Sequence, residues 1–256
     1  MTAIYKREFF SYFRSPIGYV ALALFTFLSS YWFSMYLFNR GAINLAQEIK
    51  AIRNYLILIV PIITMALFSE DKKRGTEVIY YTSPISLFSV VCGKFLAAMT
   101  LFAIMFVNII VHMIITVNLG GIVNVGTWGS VIVYFFFAAL FISIGTFASA
   151  ITDSQLISAI VSFVILYVIN MLTNIAGMVA TGVQSLLSIF TDDPEKIKKV
   201  CDAVQNAILW VAPFSKTNDF VYGKFSIAPL VFCLSGTVVF IYLTYRVLEK
   251  KRWSQA

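Results

Sequence analysis

The chain has 256 residues, of which 60% are hydrophobic, 16% aromatic and only 12% charged, and it carries a net charge of +7 with a mean hydropathy of +0.87. Soluble domains hold roughly 25% charged residues, and no soluble core hides this much apolar surface, so the excess must face lipid. That excludes a soluble enzyme, and it excludes reading the positive charge as a nucleic-acid surface, because in a membrane protein the placement of Lys and Arg reports topology.

The opening segment has neither the short apolar core nor the small-residue cleavage site of a signal peptide, so an uncleaved chain is expected. At about 100° per residue, Tyr5, Phe9, Tyr12 and Phe13 share one face, while Arg7, Ser11 and Arg14 lie opposite. This predicts an amphipathic helix over residues 1–15, lying in the headgroup plane with its aromatics inserted. Pro16 disfavours helix at Ser15 and allows a sharp turn into the first span.

A membrane-spanning helix needs roughly 20 apolar residues, and six runs are read as spans: about 17–38, 54–68, 95–117, 128–151, 156–180 and 227–247. The second is short and contains Pro61. The runs are continuous rather than alternating, which argues against an outer-membrane barrel. The expected fold is therefore all-α, a polytopic membrane protein of six transmembrane helices behind an interfacial helix. With the N-terminus inside, six spans return the C-terminus inside. The inner segments then hold Lys6, Arg7, Arg14, Lys72, Lys73, Arg74, Lys94, Arg246, Lys250, Lys251 and Arg252, tight against span ends. The remaining basic residues are spread over longer outer loops and offset by acids such as Glu48. Both termini are thus predicted to be cytoplasmic.

Two connecting segments have structure of their own. The inner loop, residues 69–94, begins with "SEDKKRGTEVIYYTSP" at 69–84. Gly75 breaks its charged run, Thr76 is placed to cap a short helix, and Glu77 sits near that helix's positive end. Pro84 closes it. A short helix bracketed by Gly and Pro is a rigid object for docking; an ordinary solvated loop is the alternative. The outer segment, 181–226, is too long for a simple turn. Asp192 and Asp193 offer an N-cap and Pro194 suits the first turn. Ile197, Val200, Val204, Ile208 and Val211 recur at helical spacing, so their face is expected to rest on the membrane surface or on span ends.

The sequence offers little chemistry of its own. It contains no HExxH, GxSxG, Gly-rich phosphate loop or paired-Cys motif, and Cys92, Cys201 and Cys233 are too widely spaced for a disulfide or metal framework. No catalytic, cofactor-binding or metal-ligating residue is assigned. The one histidine, His112, lies inside the third run and reads as an interhelical polar contact, with a functional site as the alternative. No Asp, Glu or Lys falls within the six runs, and Arg246 sits at the inner end of the sixth. Transporters that carry their own coupling ion usually bury such groups, so energy is expected to come from elsewhere.

Five stretches occur in order: "KREFFSYFRSPIGYV" at 6–20, "TMALFSEDKKRGTEVIYYTSPIS" at 64–86, "GKFLAA" at 93–98, "ASAITDSQLISAIVSF" at 148–163 and "LEKKRW" at 248–253. Together they resemble the ABC-2 type transporter permeases, above all the branch that includes the permease of the gliding-motility ABC system. The resemblance spans almost the whole chain and implies one permease domain over 1–256. It implies that the loop with Glu70, Asp71, Arg74, Gly75, Thr76 and Glu77 is a coupling element that docks on a separate ABC ATP-binding subunit. Asp71 stands where that family more often has Glu. The second and fifth spans would face the translocation path, and here they carry Pro61, Thr64, Asn170 and Asn174. The resemblance further implies a second permease copy, identical or related, a place in the bacterial cell (inner) membrane, and export. An extracytoplasmic or membrane-anchored companion protein is a further implied partner, and nucleic acid is not. No cofactor is expected in this chain, ATP and Mg being held by the partner. Two alternatives stay open: mechanical or assembly work on a partner membrane protein without solute transport, and a membrane enzyme built on His112.

Overall fold

The computed structural model describes residues 1–40, 45–82, 85–121, 123–190, 193–214 and 227–255. In chain order its helices are α1 (Thr2–Arg14), α2 (Pro16–Arg40), α3 (Leu45–Thr64), α4 (Ser69–Lys73), α5 (Val78–Thr82), α6 (Leu87–Asn118), α7 (Val125–Ile151), α8 (Gln155–Phe190), α9 (Pro194–Val211) and α10 (Ala228–Gln255). No strand occurs among the described residues. Six stretches, within α2, α3 to α4, α6, α7, α8 and α10, are long and apolar enough to cross a membrane.

Local chemistry explains the sharpest boundaries. Ser15 is extended, with ψ at 158°, because Pro16 crowds a helical residue before it, and α2 starts at once. Asp193 caps α9, its Oδ1 accepting from the amides of Glu195 at 3.2 Å and Lys196 at 3.5 Å, with Pro194 in the first turn. Asp192, Pro84 and residues 215–226 lie outside the described residues.

Four helices run well past their predicted ends. The second span's helix begins at Leu45 rather than 54, the third at Leu87 rather than 95, the fifth continues to Phe190 rather than 180, and the sixth to Gln255 rather than 247. The inner loop therefore ends at 86, and Lys94 stands inside a helix. At 1.5 Å per residue α6 and α8 are about 48 and 54 Å long, well beyond a hydrocarbon core of about 30 Å. Their ends project past the apolar layer.

The centre of the bundle is α7, which packs against α3, α6, α8 and α10. Tyr134, Phe137 and Phe141 fill its surroundings, while Ala138, Gly145 and Ala148 let neighbours approach closely. A Cβ at Gly145 would lie 2.3 Å from Thr64 Oγ1, so α3 and α7 meet there with no room for a side chain. By contrast α8 leaves Leu156, Ile160, Val164 and Met178 exposed, the pattern of a helix whose outer side is solvated by lipid.

The amphipathic segment is a separate helix lying against α6 and α2. Its aromatic face packs in part on the protein. The Tyr5 hydroxyl donates to Thr100 Oγ1 at 3.0 Å, and the Tyr12 hydroxyl donates to the Ile63 carbonyl at 2.8 Å. Tyr12, expected in the membrane, is buried, whereas Phe10 is exposed. At the other end, α9 packs on α8, with Cys201 buried and Ile197, Val204 and Ile208 half-buried along one side. Val200 and Val211, expected on that face, are exposed.

Candidate functional site

The charged stretch after α3 folds as two single-turn helices, α4 and α5, joined by a tight turn. Gly75 adopts φ +69°, a left-handed conformation that costs glycine little. Around it the Arg74 amide donates to Glu70 O at 3.0 Å, the Gly75 amide to Lys72 O at 3.0 Å and the Thr76 amide to Asp71 O at 2.9 Å. The hydroxyl of Thr76 donates to Asp71 Oδ1 at 2.9 Å. This replaces the helix cap expected of Thr76: the side chain secures α4 to the turn.

Asp71 organises the inward side. Its Oδ2 accepts from Lys94 Nζ at 2.6 Å and from the Tyr80 hydroxyl at 2.5 Å, and Arg7 Nη2 lies 3.4 Å away. Lys94 also reaches Glu8 Oε1 at 2.9 Å and the Leu67 carbonyl, with its ammonium 5.0 Å from the centre of the Phe68 ring. Lys94, counted from sequence as a loop anchor, is fully buried. A buried ammonium is tolerable only when paired and hydrogen-bonded, and here α1, α4 and the turn after α3 supply those partners. Burial raises the pKa of the Tyr80 phenol, which keeps it a donor to Asp71.

Lys72 fastens the element to the α7–α8 corner. Its Nζ donates to the carbonyls of Ala150 at 2.5 Å and Thr152 at 2.6 Å and lies 3.4 Å from Asp153. A cation on the last carbonyls of a helix also meets the negative end of its dipole. Ser149 Oγ accepts from the amides of Phe68 at 3.0 Å and Ser69 at 3.2 Å, and donates to Met65 O at 3.2 Å.

The opposite side is free. Lys73, Arg74, Gly75, Val78 and Ile79 are exposed, and Glu70 and Glu77 are half-buried. Glu70 pairs with Arg74 at 2.5 Å. A polar groove of about 370 Å³, lined among others by Arg7, Ser11, Arg14, Glu70 and Arg74, separates α1 from the element. Of the six residues singled out from sequence, Asp71 thus turns its carboxylate toward Lys94 and Tyr80 and Thr76 spends its hydroxyl on Asp71, while both also line that groove. The exposed apolar pair Val78 and Ile79 was not singled out. Its signal was the absence of any apolar partner within so short a helix.

The four predicted path residues do not form one surface within the chain. Pro61 and Thr64 are buried, and the Thr64 hydroxyl donates to Val60 O at 2.9 Å. Asn170 is half-buried and Asn174 exposed, both on α8.

A second polar cluster lies deeper. Glu48, assigned from sequence to an outer loop, sits in the first turn of α3 and is 1% exposed. Its Oε1 is 2.7 Å from His112 Nδ1 and accepts from Ser29 Oγ at 3.4 Å. The His112 ring stacks on Phe33, with centroids 4.2 Å apart and planes 7° from parallel, and its Nε2 lies 3.5 Å from both Ser30 Oγ and Asn108 Nδ2. Glu48 thus opens the stretch Glu48–Lys73, which is long and apolar enough to cross a membrane, instead of lying in an outer loop. The signal was present: Glu48, Ile52, Leu56, Ile59 and Ile63 form one buried stripe at helical spacing. Among the described residues no group of three or more His, Cys, Asp or Glu is placed to hold a metal.

A family model described as ABC-2 family transporter protein matches residues 2–253. No curated protein matches the chain.

Proposed function

Because the chain belongs to the ABC-2 transporter family, a multi-pass membrane subunit that works with an ABC ATP-binding subunit, we propose that the partner docks on the outward side of Ser69–Thr82 and drives export across a bacterial cell membrane. ATP and Mg belong to that partner, and this chain contributes no catalytic group. One observation carries the reading: the element is fastened on one side and free on the other. Asp71 and Lys72 tie it to α1, α6 and the α7–α8 corner, while Val78 and Ile79 present apolar surface beside Lys73 and Arg74. Apolar contact supplies affinity, and the flanking charges supply orientation. A push on the free side reaches α6 through Lys94 and α7 through Lys72, two routes that need no flexible linker.

Nucleotide can shift the permease only as far as the partner's contacts differ between states, and a fastened element makes those differences felt in the bundle. The working unit in this reading contains a second permease copy. The exposure of Asn174 and half-exposure of Asn170 favour a path between copies over one within a chain.

The test is co-expression with the ATP-binding subunit. Val78→Glu/Ile79→Glu alters two exposed side chains, so insertion and folding are expected to survive while co-purification and permease-dependent ATP hydrolysis are lost. Wild-type complex formation by this variant would remove the docking assignment.

A further inference from the structure

The end of α10 carries a surface that ATPase coupling leaves unused. Leu243, Arg246, Lys250 and Trp253 recur at helical spacing along one side, and Val239 precedes them by one turn. All five are exposed, and Trp253, at 78%, is the most exposed large apolar side chain among the described residues. Between this side and α7 runs a groove of about 760 Å³, walled by Phe147, Leu243 and Val247 and rimmed by Arg246, Lys250 and Trp253.

The charges at the rim are unbalanced. Glu249 also lines the groove, but its carboxylate is engaged by the Tyr245 hydroxyl at 2.8 Å and by Arg246. Lys250 makes no hydrogen bond or ion pair among the described residues. Lys251, next in the chain, lies 3.8 Å from Asp153, which is itself 3.4 Å from Lys72. The groove therefore opens at the same end of the bundle as the coupling element.

We propose that this groove binds an anionic phospholipid. Its phosphodiester sits between Arg246 and Lys250, one acyl chain lies along Phe147, Leu243 and Val247, and Trp253 stands at the level of the glycerol. Each part answers to a known preference. Long basic side chains lay their stems on apolar surface and extend their charge into the headgroups. Indole favours the membrane interface, and basic pockets beside spanning helices attract acidic lipids. A free anion would leave the apolar wall unused. The assignment rests on the membrane-spanning reading of α7 and α10 and does not require the ATP-binding subunit to dock on Ser69–Thr82.

Trp253 reports on its own site. The full chain is reconstituted in phosphatidylcholine vesicles containing a minority of brominated phosphatidylglycerol or, in parallel, brominated phosphatidylcholine. Quenching at Trp253 is read as the difference between wild type and Trp253→Phe. The expected result is a preference for the phosphatidylglycerol on the order of tenfold, reduced in Lys250→Gln and abolished in Arg246→Gln/Lys250→Gln. Lys250 is exposed and unbonded, so its substitution does not put folding at stake. Equal quenching by the two lipids, or a preference unchanged in the double variant, overturns the proposal. Displacement of the brominated lipid by added inorganic phosphate would reduce the groove to an anion site and overturn it as well. Loss of all quenching on adding the ATP-binding subunit would assign this face to that partner instead.

Discussion

Lys94 Nζ lies 2.6 Å from Asp71 Oδ2, and the same ammonium reaches Glu8 Oε1 at 2.9 Å. One fully buried cation thus holds Ser69–Thr82 to α1 and to its own helix, α6. The knot balances two carboxylates against Lys94 and the neighbouring Arg7.

Lys94→Met should strand those carboxylates. Breaking a buried pair by removing one partner costs about 3–5 kcal/mol, so a marked fall in the thermal unfolding temperature in detergent is expected. Lys94→Met combined with Asp71→Asn and Glu8→Gln should recover much of the loss. If the single variant unfolds like wild type, the knot is not holding the element.

The Glu48 and His112 pair makes a parallel case inside the bundle. His112→Phe preserves stacking on Phe33 but leaves the buried carboxylate with only the Ser29 hydroxyl, and it should cost more than Glu48→Gln, which keeps an acceptor for Ser29. Glu48→Leu/His112→Phe should be closer to wild type than His112→Phe alone, because removing both partners of a buried pair is often near neutral. A double-mutant cycle on unfolding measures the coupling, and additive effects would deny it. His112→Ala that still supports permease-dependent ATP hydrolysis would retire the membrane-enzyme alternative.

Gly75→Ala meets no atom within 4 Å, so its cost is purely conformational, about 1–2 kcal/mol for a left-handed L-residue. Together with Glu70→Gln, which weakens the pair with Arg74, it should misplace the exposed turn. The double variant is expected to reach the membrane at normal levels yet uncouple ATP hydrolysis from transport. Unchanged coupling would show that the turn is not where the partner binds.

Gly145→Ala should be damaging for the opposite reason. Its Cβ would press on Thr64 Oγ1 at 2.3 Å and on Thr64 Cβ at 2.9 Å. Overpacking of this kind costs about 1–3 kcal/mol. Thr64→Ala should restore stability only in part, since the Cβ contact remains. Full tolerance of Gly145→Ala would mean that α3 and α7 can separate at this level.

Much of this architecture was legible in the sequence because lipid imposes a simple rule. Continuous apolar runs give the six spans, Pro16 gives the corner after α1, and Asp193 with Pro194 gives the start of α9. What escaped was every place where a charge goes indoors. Sequence places Glu48 and Lys94 in loops because a charge in a span is permissible only with a partner, and their partners are distant. His112 follows Glu48 by 64 residues, and Lys94 follows Glu8 by 86. Periodicity reports which side of a helix is apolar, but not who waits on its polar side. The same limit hides the contact of Asp71 with Lys94 and the exposed pair Val78 and Ile79.

Ser149 has a mechanical consequence. Its hydroxyl is one bond from Cβ, and it holds the amides of Phe68 and Ser69 and the carbonyl of Met65 at once. A lysine or glutamate at this joint would yield by changing rotamer, and a small displacement would be lost in its length. A serine has no such slack. Movement of the backbone at 65–69 beyond the few tenths of an ångström that a hydrogen bond tolerates must either break these bonds or carry α7 with it, so the joint behaves like meshed gear teeth with little backlash.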